Sequence, residues 1–369
     1  MNFSFNMPVK VIGGNGVVRE NSAVFAGYGK KCLLVTGGSS ADKSGAKADV
    51  LAALSEQGIE YTVFDEVKPN PLAADCHRAG QLARDFEVDF ILGVGGGSAL
   101  DSAKAIAVYA ANKTLSAEGI YDYDFMLPPL PLILVGTTAG TGSEVTGVSV
   151  LTRENGRKQS VSGQNFYAKA AFADPKYTYS VPYSVTVSTA LDAFAHAVEG
   201  WFSNRFDDVA KLFGQKAIPV LWEALKRFYE TGELPDELGR NDLYYASLYA
   251  GMELNICGSA FPHGMGYVLT EDFGLPHGRA CTAFMPAYVK RGMEFKNPLA
   301  IEFFTIIGTN YPEFEKIILT LTDLSGIKMT EEQIAAYCER WQSLKNFKNS
   351  PGGYSAAEAG QVLRDLFLK

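Results

Sequence analysis

The feature that most constrains this chain is a rhythm in its first half. A short β-rich run leads into a turn of glycines and hydroxyls, then a helical pattern, and the unit repeats. Lys31–Val35 (KCLLV) reads as a strand ending in Thr36-Gly37-Gly38-Ser39-Ser40. Residues 47–57 follow with Val50, Leu51 and Leu54 on one helical face. Residues 61–64 read as the next strand and 72–86 as the next helix. Residues 90–94 are a third strand, followed by Gly95-Gly96-Gly97-Ser98 and a helix through Tyr109. Residues 132–135 are a fourth, followed by a loop over 137–146. Strands alternating with helices predict a parallel sheet with helices on both faces.

Past Pro182 strand patterns fade, and long amphipathic helical patterns take over, as in residues 207–228 and 243–252. The reading is an α/β nucleotide-binding domain over residues 1–184 and an all-α metal-binding domain over 185–369. No internal repeat or low-complexity tract interrupts either.

Charge and composition close off other classes. A net charge of -8, with no run of Lys or Arg, argues against nucleic-acid binding, which needs clustered cations along a backbone. No stretch approaches the roughly 20 apolar residues that span a bilayer. Residues 1–10 lack the long apolar core of a secretory signal, so the expected location is the cytoplasm. The five cysteines are Cys32, Cys76, Cys257, Cys281 and Cys338, with no CxxC pair; they read as reduced thiols and small buried residues.

The glycine turns carry the first chemical signal. Gly95-Gly96-Gly97-Ser98 follows a strand and opens a helix, where backbone N–H groups and the helix terminus favour a phosphate. It is not the G-x-G-x-x-G fingerprint. Thr137-Thr138-Ala139-Gly140-Thr141-Gly142-Ser143 also follows a strand. Two such loops after strands of one parallel sheet meet at its carboxyl edge, where α/β folds bind ligands.

The second signal lies further on. Asp192 and His196 are one helical turn apart and share a face, so a carboxylate and an imidazole can grip one cation. Alone, such a pair is an ordinary helix-surface pair. His263 and His277 change that: each precedes a glycine, and together they flank residues 265–275, short enough to fold back. Mixed His and carboxylate ligation suits Zn²⁺ or Fe²⁺. The fourth histidine, His77, reads as a surface residue of its helix.

These residues resemble the iron-containing alcohol dehydrogenase family over nearly the whole chain. The matches are Gly95-Gly96-Gly97-Ser98 with Asp101 and Lys104, Thr137-Thr138-Ala139-Gly140-Thr141, and the set Asp192, His196, His263 and His277. The resemblance implies one divalent metal, Fe²⁺ or Zn²⁺, on those four side chains. It implies a dinucleotide held by Gly37, Gly38, Ser39, Ser40, Asn70, Gly95, Gly96, Gly97, Ser98, Asp101, Thr137, Thr138, Thr141 and Lys158, with the active site in the cleft between the domains. It further implies a homodimer acting on a small alcohol or aldehyde. Where many members carry a proton-relaying histidine, this chain has Tyr267, which is a pocket-lining or relay residue. Where NAD-preferring members carry an aspartate, it has Gly37; loss of that carboxylate predicts a preference for NADP(H) over NAD(H). Two other activities remain open: a polyol (glycerol-type) dehydrogenase or dehydroquinate-synthase-like enzyme of the same superfamily, and a non-catalytic nucleotide-binding protein.

Overall fold

The computed structural model describes residues 3, 5–123, 125–342 and 344–368. The chain divides into two compact units, Asn6–Pro182, and Tyr183–Lys369 together with Met1–Phe5.

The first unit is built on six strands: β1 (Lys10–Gly13), β2 (Lys31–Val35), β3 (Glu60–Phe64), β4 (Phe90–Gly95), β5 (Leu132–Gly136) and, after a hairpin of β6 (Val148–Thr152) and β7 (Lys158–Ser162), β8 (Ala170–Ala173). The sheet order is β1-β8-β5-β4-β2-β3, and every pairing in it is parallel. β4 and β5 are buried at every position, as expected of strands covered on both faces. Alternation along β2 serves both layers. Cys32 and Leu34 pack with Val50 and Leu54 of the Ala46–Glu56 helix. Leu33 and Val35 pack on the other face, with Cys76 and Ala79 of the Ala73–Asp85 helix and Ala103 of the Gly97–Ala111 helix. Two sheet strands, β1 and β8, and the β6–β7 hairpin were not anticipated. KVIG is only four residues long, and AAFA carries three alanines, which give little strand signal.

The second unit is helical. The Tyr183–Phe202 helix is buried on nearly all sides, with the Asp208–Thr231 and Glu237–Cys257 helices packed against it and against each other. Asp207 starts the second of these by accepting hydrogen bonds from the N–H groups of Val209 and Ala210 at 3.0 and 2.9 Å. Phe5 joins this unit through its ring, 5.6 Å from that of Phe213. Among the described residues no helix is long and apolar enough to cross a membrane.

Candidate metal centre and glycine loops

On the Tyr183–Phe202 helix, Asp192, His196 and Glu199 fall at spacings of four and three, so all three project from one stripe. His263 comes from the Phe261–Phe273 helix. Most of the 265–275 segment is helix; the fold-back is made at Gly274, at φ 67°, and at Leu275 and Pro276, which deliver His277 as the first residue of the His277–Thr282 helix. Gly278 makes the last approach possible. A Cβ there would stand 1.8 Å from the Ser188 carbonyl oxygen and 2.9 Å from Asp192 Cβ. The pairing of each histidine with a glycine therefore has a packing reason at His277.

The result is a buried cluster. Asp192 Oδ1 lies 3.5 Å from His263 Nε2 and 3.9 Å from His277 Nε2. The His196 and His263 rings stack at 4.6 Å. Asp192 is 3% exposed and His263 5%. Yet among the described residues Asp192 Oδ1 and His263 Nε2 have no hydrogen-bond partner. Two buried polar atoms aimed at a common point are costly unless something satisfies both. A carboxylate oxygen and imidazole nitrogens are the donors a divalent transition metal takes, so the residues fit such an ion.

Two participants escaped the sequence reading. Glu199 is fully buried; its Oε1 accepts from His263 Nδ1 at 2.5 Å, and its Oε2 accepts from the Ala260 N–H. A carboxylate on Nδ1 fixes the tautomer and leaves the Nε2 lone pair free for a cation. The signal was available in its spacing from Asp192 and His196. Cys281, expected to be only a small buried residue, has its Sγ 3.6 Å from His277 Nδ1. With Asp192, His263 and His277 it forms a set of donor atoms all within 4.8 Å of one another. Its signal was its place four residues after His277.

Electrostatics agree with cation binding. Burial pushes the Asp192 carboxyl up, but His196, His263 and His277 outweigh it and hold the group well below the usual carboxylate range. For His263, burial favours the neutral ring, while Cys281, Glu199 and Asp192 raise its pKa well above the ordinary value. The negative field that would hold a proton on this ring suits a cation equally. The Tyr267 ring stacks on His277 at 5.8 Å, and His77, far along the sequence, meets the Tyr109 ring edge-on at 5.3 Å.

In the α/β unit the two glycine loops do meet. β4 and β5 pair with Gly95 opposite Gly136, and the Thr137 N–H donates to the Gly95 carbonyl at 2.9 Å. A Cβ on Gly96 would lie 3.1 Å from Thr138 Cγ2, and one on Gly97 2.6 Å from Thr141 Cγ2. The loop after β2 joins them: Ser40 Oγ is 3.9 Å from where a Gly95 Cβ would be, and Gly38, Ser39 and Ser40 are exposed. Thr137 Oγ1 is buried without a hydrogen-bond partner among the described residues. Asn70 and Lys158, distant in sequence, are joined by a 3.1 Å hydrogen bond from Lys158 Nζ to Asn70 Oδ1.

Asp101, expected at the cofactor, is tied to the second loop. Its Oδ1 accepts from Ser143 Oγ at 2.6 Å and its Oδ2 from the Val150 N–H at 2.9 Å. It thus braces the second loop from behind. Fully buried Lys104 does the same, donating to Ser143 Oγ, Thr146 Oγ1 and the Val148 carbonyl at 2.7, 3.2 and 2.6 Å. Burial lowers the Lys104 ammonium to about 8, with Asp101 and Glu144 opposing the shift. Gly37 also carries a constraint that sequence could not show: a Cβ there would meet the Val67 carbonyl oxygen at 2.3 Å.

A parallel sheet with hydroxyl-rich loops on its carboxyl edge, joined in one chain to helices that bury a donor set fit for a cation, defines a two-unit α/β protein with a candidate metal site. The comparisons with known proteins narrow the class. A family model described as iron-containing alcohol dehydrogenase matches residues 8–175, and the C-terminal model of the same family matches residues 186–349. The chain belongs to the iron-containing alcohol dehydrogenase family, whose members are oxidoreductases. It is 29% identical over 291 residues to the NADPH-dependent butanol dehydrogenase of Clostridium saccharobutylicum, covering 78% of this chain and 73% of that one. It is 27% identical over 368 residues to the NAD-dependent methanol dehydrogenase of Bacillus methanolicus, covering 99% and 91%. The crystal structure of an iron-containing alcohol dehydrogenase from Thermotoga maritima is 32% identical, with a TM-score of 0.91 over 99% of each chain.

Proposed function

We propose that this protein interconverts a small alcohol and its aldehyde, using NAD(P)(H) and one divalent cation held by Asp192, His196, His263 and His277. The observation that carries the reading is the pair of buried, unsatisfied atoms Asp192 Oδ1 and His263 Nε2. A cation bound there supplies Lewis acidity that lowers the pKa of an alcohol hydroxyl, and the dinucleotide supplies the hydride chemistry. Asp192 provides the negative charge nearest the cation. Glu199 keeps the His263 proton on Nδ1. Tyr267 holds the His277 ring by stacking and lines the site. The N–H groups at Gly96 and Gly97 receive phosphate oxygens, and Thr138 and Thr141 keep that loop in place.

The reading includes a preference for NADP(H). Gly37 carries no carboxylate to repel a 2′-phosphate, and exposed Ser39 and Ser40 offer donors to it. Because a side chain at Gly37 would collide with Val67, the informative variant is Ser39→Asp, which should move the kcat/KM ratio toward NADH. A native protein that favours NADH tenfold, about 1.4 kcal/mol, overturns the preference. The reading also includes a cytoplasmic homodimer. Free thiols at Cys32, Cys76, Cys257, Cys281 and Cys338 support a reducing compartment, and a monomer mass by light scattering overturns the dimer.

The test of the whole is metal analysis of anaerobically purified protein, with NADPH and NADH oxidation followed on a panel of short aldehydes. His277→Ala should lose metal and turnover together while remaining folded. Unchanged metal stoichiometry in that variant sinks the site.

A further inference from the structure

The family's four-residue ligand set leaves Cys281 without a role. This cysteine is fully buried and stands one turn after His277 on the same short helix. The neighbouring helix is pressed against it: a Cβ on Gly266 would lie 2.7 Å from both Cys281 Cα and Sγ. The thiol therefore has little freedom to turn elsewhere. Its sulfur lies 3.6 Å from His277 Nδ1 and 3.8 Å from Nε2. The donor atoms of Asp192, His263, His277 and Cys281 all fall within 4.8 Å of one another.

These separations can be set against coordination geometry. With metal bonds of about 2.0–2.1 Å to nitrogen or oxygen and about 2.3 Å to sulfur, tetrahedral edges come to about 3.4 Å and about 3.6 Å respectively. Here the edges are 3.5 Å from Asp192 Oδ1 to His263 Nε2, 3.9 Å from Asp192 Oδ1 to His277 Nε2, and 3.8 Å from His277 Nε2 to Cys281 Sγ. All lie within about half an ångström of a shared cation's geometry.

We propose that Cys281 is itself a ligand, giving its sulfur to the cation held by the carboxylate and the histidines, and that this sulfur biases the centre toward zinc over iron. The inference rests on the cation site proposed above. On binding, the thiol releases its proton to solvent and a sulfur–metal bond forms; nothing is oxidised or reduced. Thiolate is a softer donor than carboxylate or imidazole and favours zinc among the divalent ions at hand. The donors that converge are those of Asp192, His263, His277 and Cys281, so in this arrangement the sulfur takes the place the resemblance gave to His196, and zinc's capacity for a fifth donor is left to the alcohol.

The test is X-ray absorption on the zinc-loaded protein, beside metal competition. The native protein should show one sulfur neighbour at about 2.3 Å, and Cys281→Ser should bind one zinc without it. The zinc-to-iron affinity ratio should fall at least tenfold in that variant. Cobalt-loaded native protein should show a thiolate charge-transfer band that the variant lacks, which is independent of turnover. A nitrogen- and oxygen-only shell around one bound zinc in the native protein overturns the role of Cys281 and leaves the Asp/His site standing. Failure of the native protein to bind any divalent cation overturns both.

Discussion

At the scale of single residues, two buried glutamates have opposite consequences. Glu199 is fully used: one oxygen takes the His263 ring N–H, the other the Ala260 N–H. Glu199→Ala should weaken divalent-metal affinity by about 10–100-fold, the usual effect of losing such a partner. Glu199→Gln should fall between, because its amide oxygen can satisfy only one of the two donors. Metal titration by calorimetry checks this, and native affinity in the alanine variant refutes it. Glu253 has neither oxygen hydrogen-bonded among the described residues, and it is fully buried against Gly200 and Gly214. Burial raises its pKa well above the ordinary value. A raised folded-state pKa gives stability that is complete below the unfolded pKa and lost as pH climbs through the folded one. The native protein should therefore lose stability with rising pH above about 4.3, by on the order of 1.4 kcal/mol per unit while the window lasts. Glu253→Gln should not, so its Tm advantage should widen between pH 5 and pH 8. A Tm difference that is flat with pH would refute the assignment.

At the scale of elements, the strands with a clear apolar run were legible: β2, β4 and β5 lie where KCLLV, FILGV and LILV predicted them, each feeding a glycine or hydroxyl loop. β1 and β8 were not legible, because their pairing is between distant segments with weak local preference. Of the four residues expected to converge, Asp192, His263 and His277 bring donor atoms within 4.8 Å of one another, while His196 meets them through its ring, stacked on that of His263. What spacing could not supply was the close backbone approach that Gly278 permits, the inward turn of Asp101, or the obstruction beside Gly37; each depends on a segment remote in sequence. Gly278→Ala tests the first of these. Its methyl would meet a main-chain oxygen, so the His277–Thr282 helix must move away from Asp192. The variant should stay folded by circular dichroism yet lose metal at least tenfold. Full metal retention would show that the approach is not needed.

At the scale of the whole molecule, the two proposed ligands belong to different units, and their effects should be separable. Hydrogen exchange should rise on chelation in Tyr183–Phe202 and His277–Thr282. On addition of NADPH it should fall at residues 36–40, 95–98 and 137–141. Protection by NADPH confined to the helical unit would refute the placement of the cofactor loops.

The sheet itself carries a timing problem. Lys10 lies opposite Ala170, so β1 pairs with a strand made 160 residues later. At roughly 5–20 residues per second on a ribosome, about 8–32 s separate the appearance of the two. Through that interval the earliest strand emerges without its neighbour, its N–H and C=O groups open to other chains. A nascent chain halted before residue 170 should thus be held by chaperones or aggregate, while one released a few residues past 173 can close its sheet. Synthesis of this protein has a vulnerable period whose length is set by strand order.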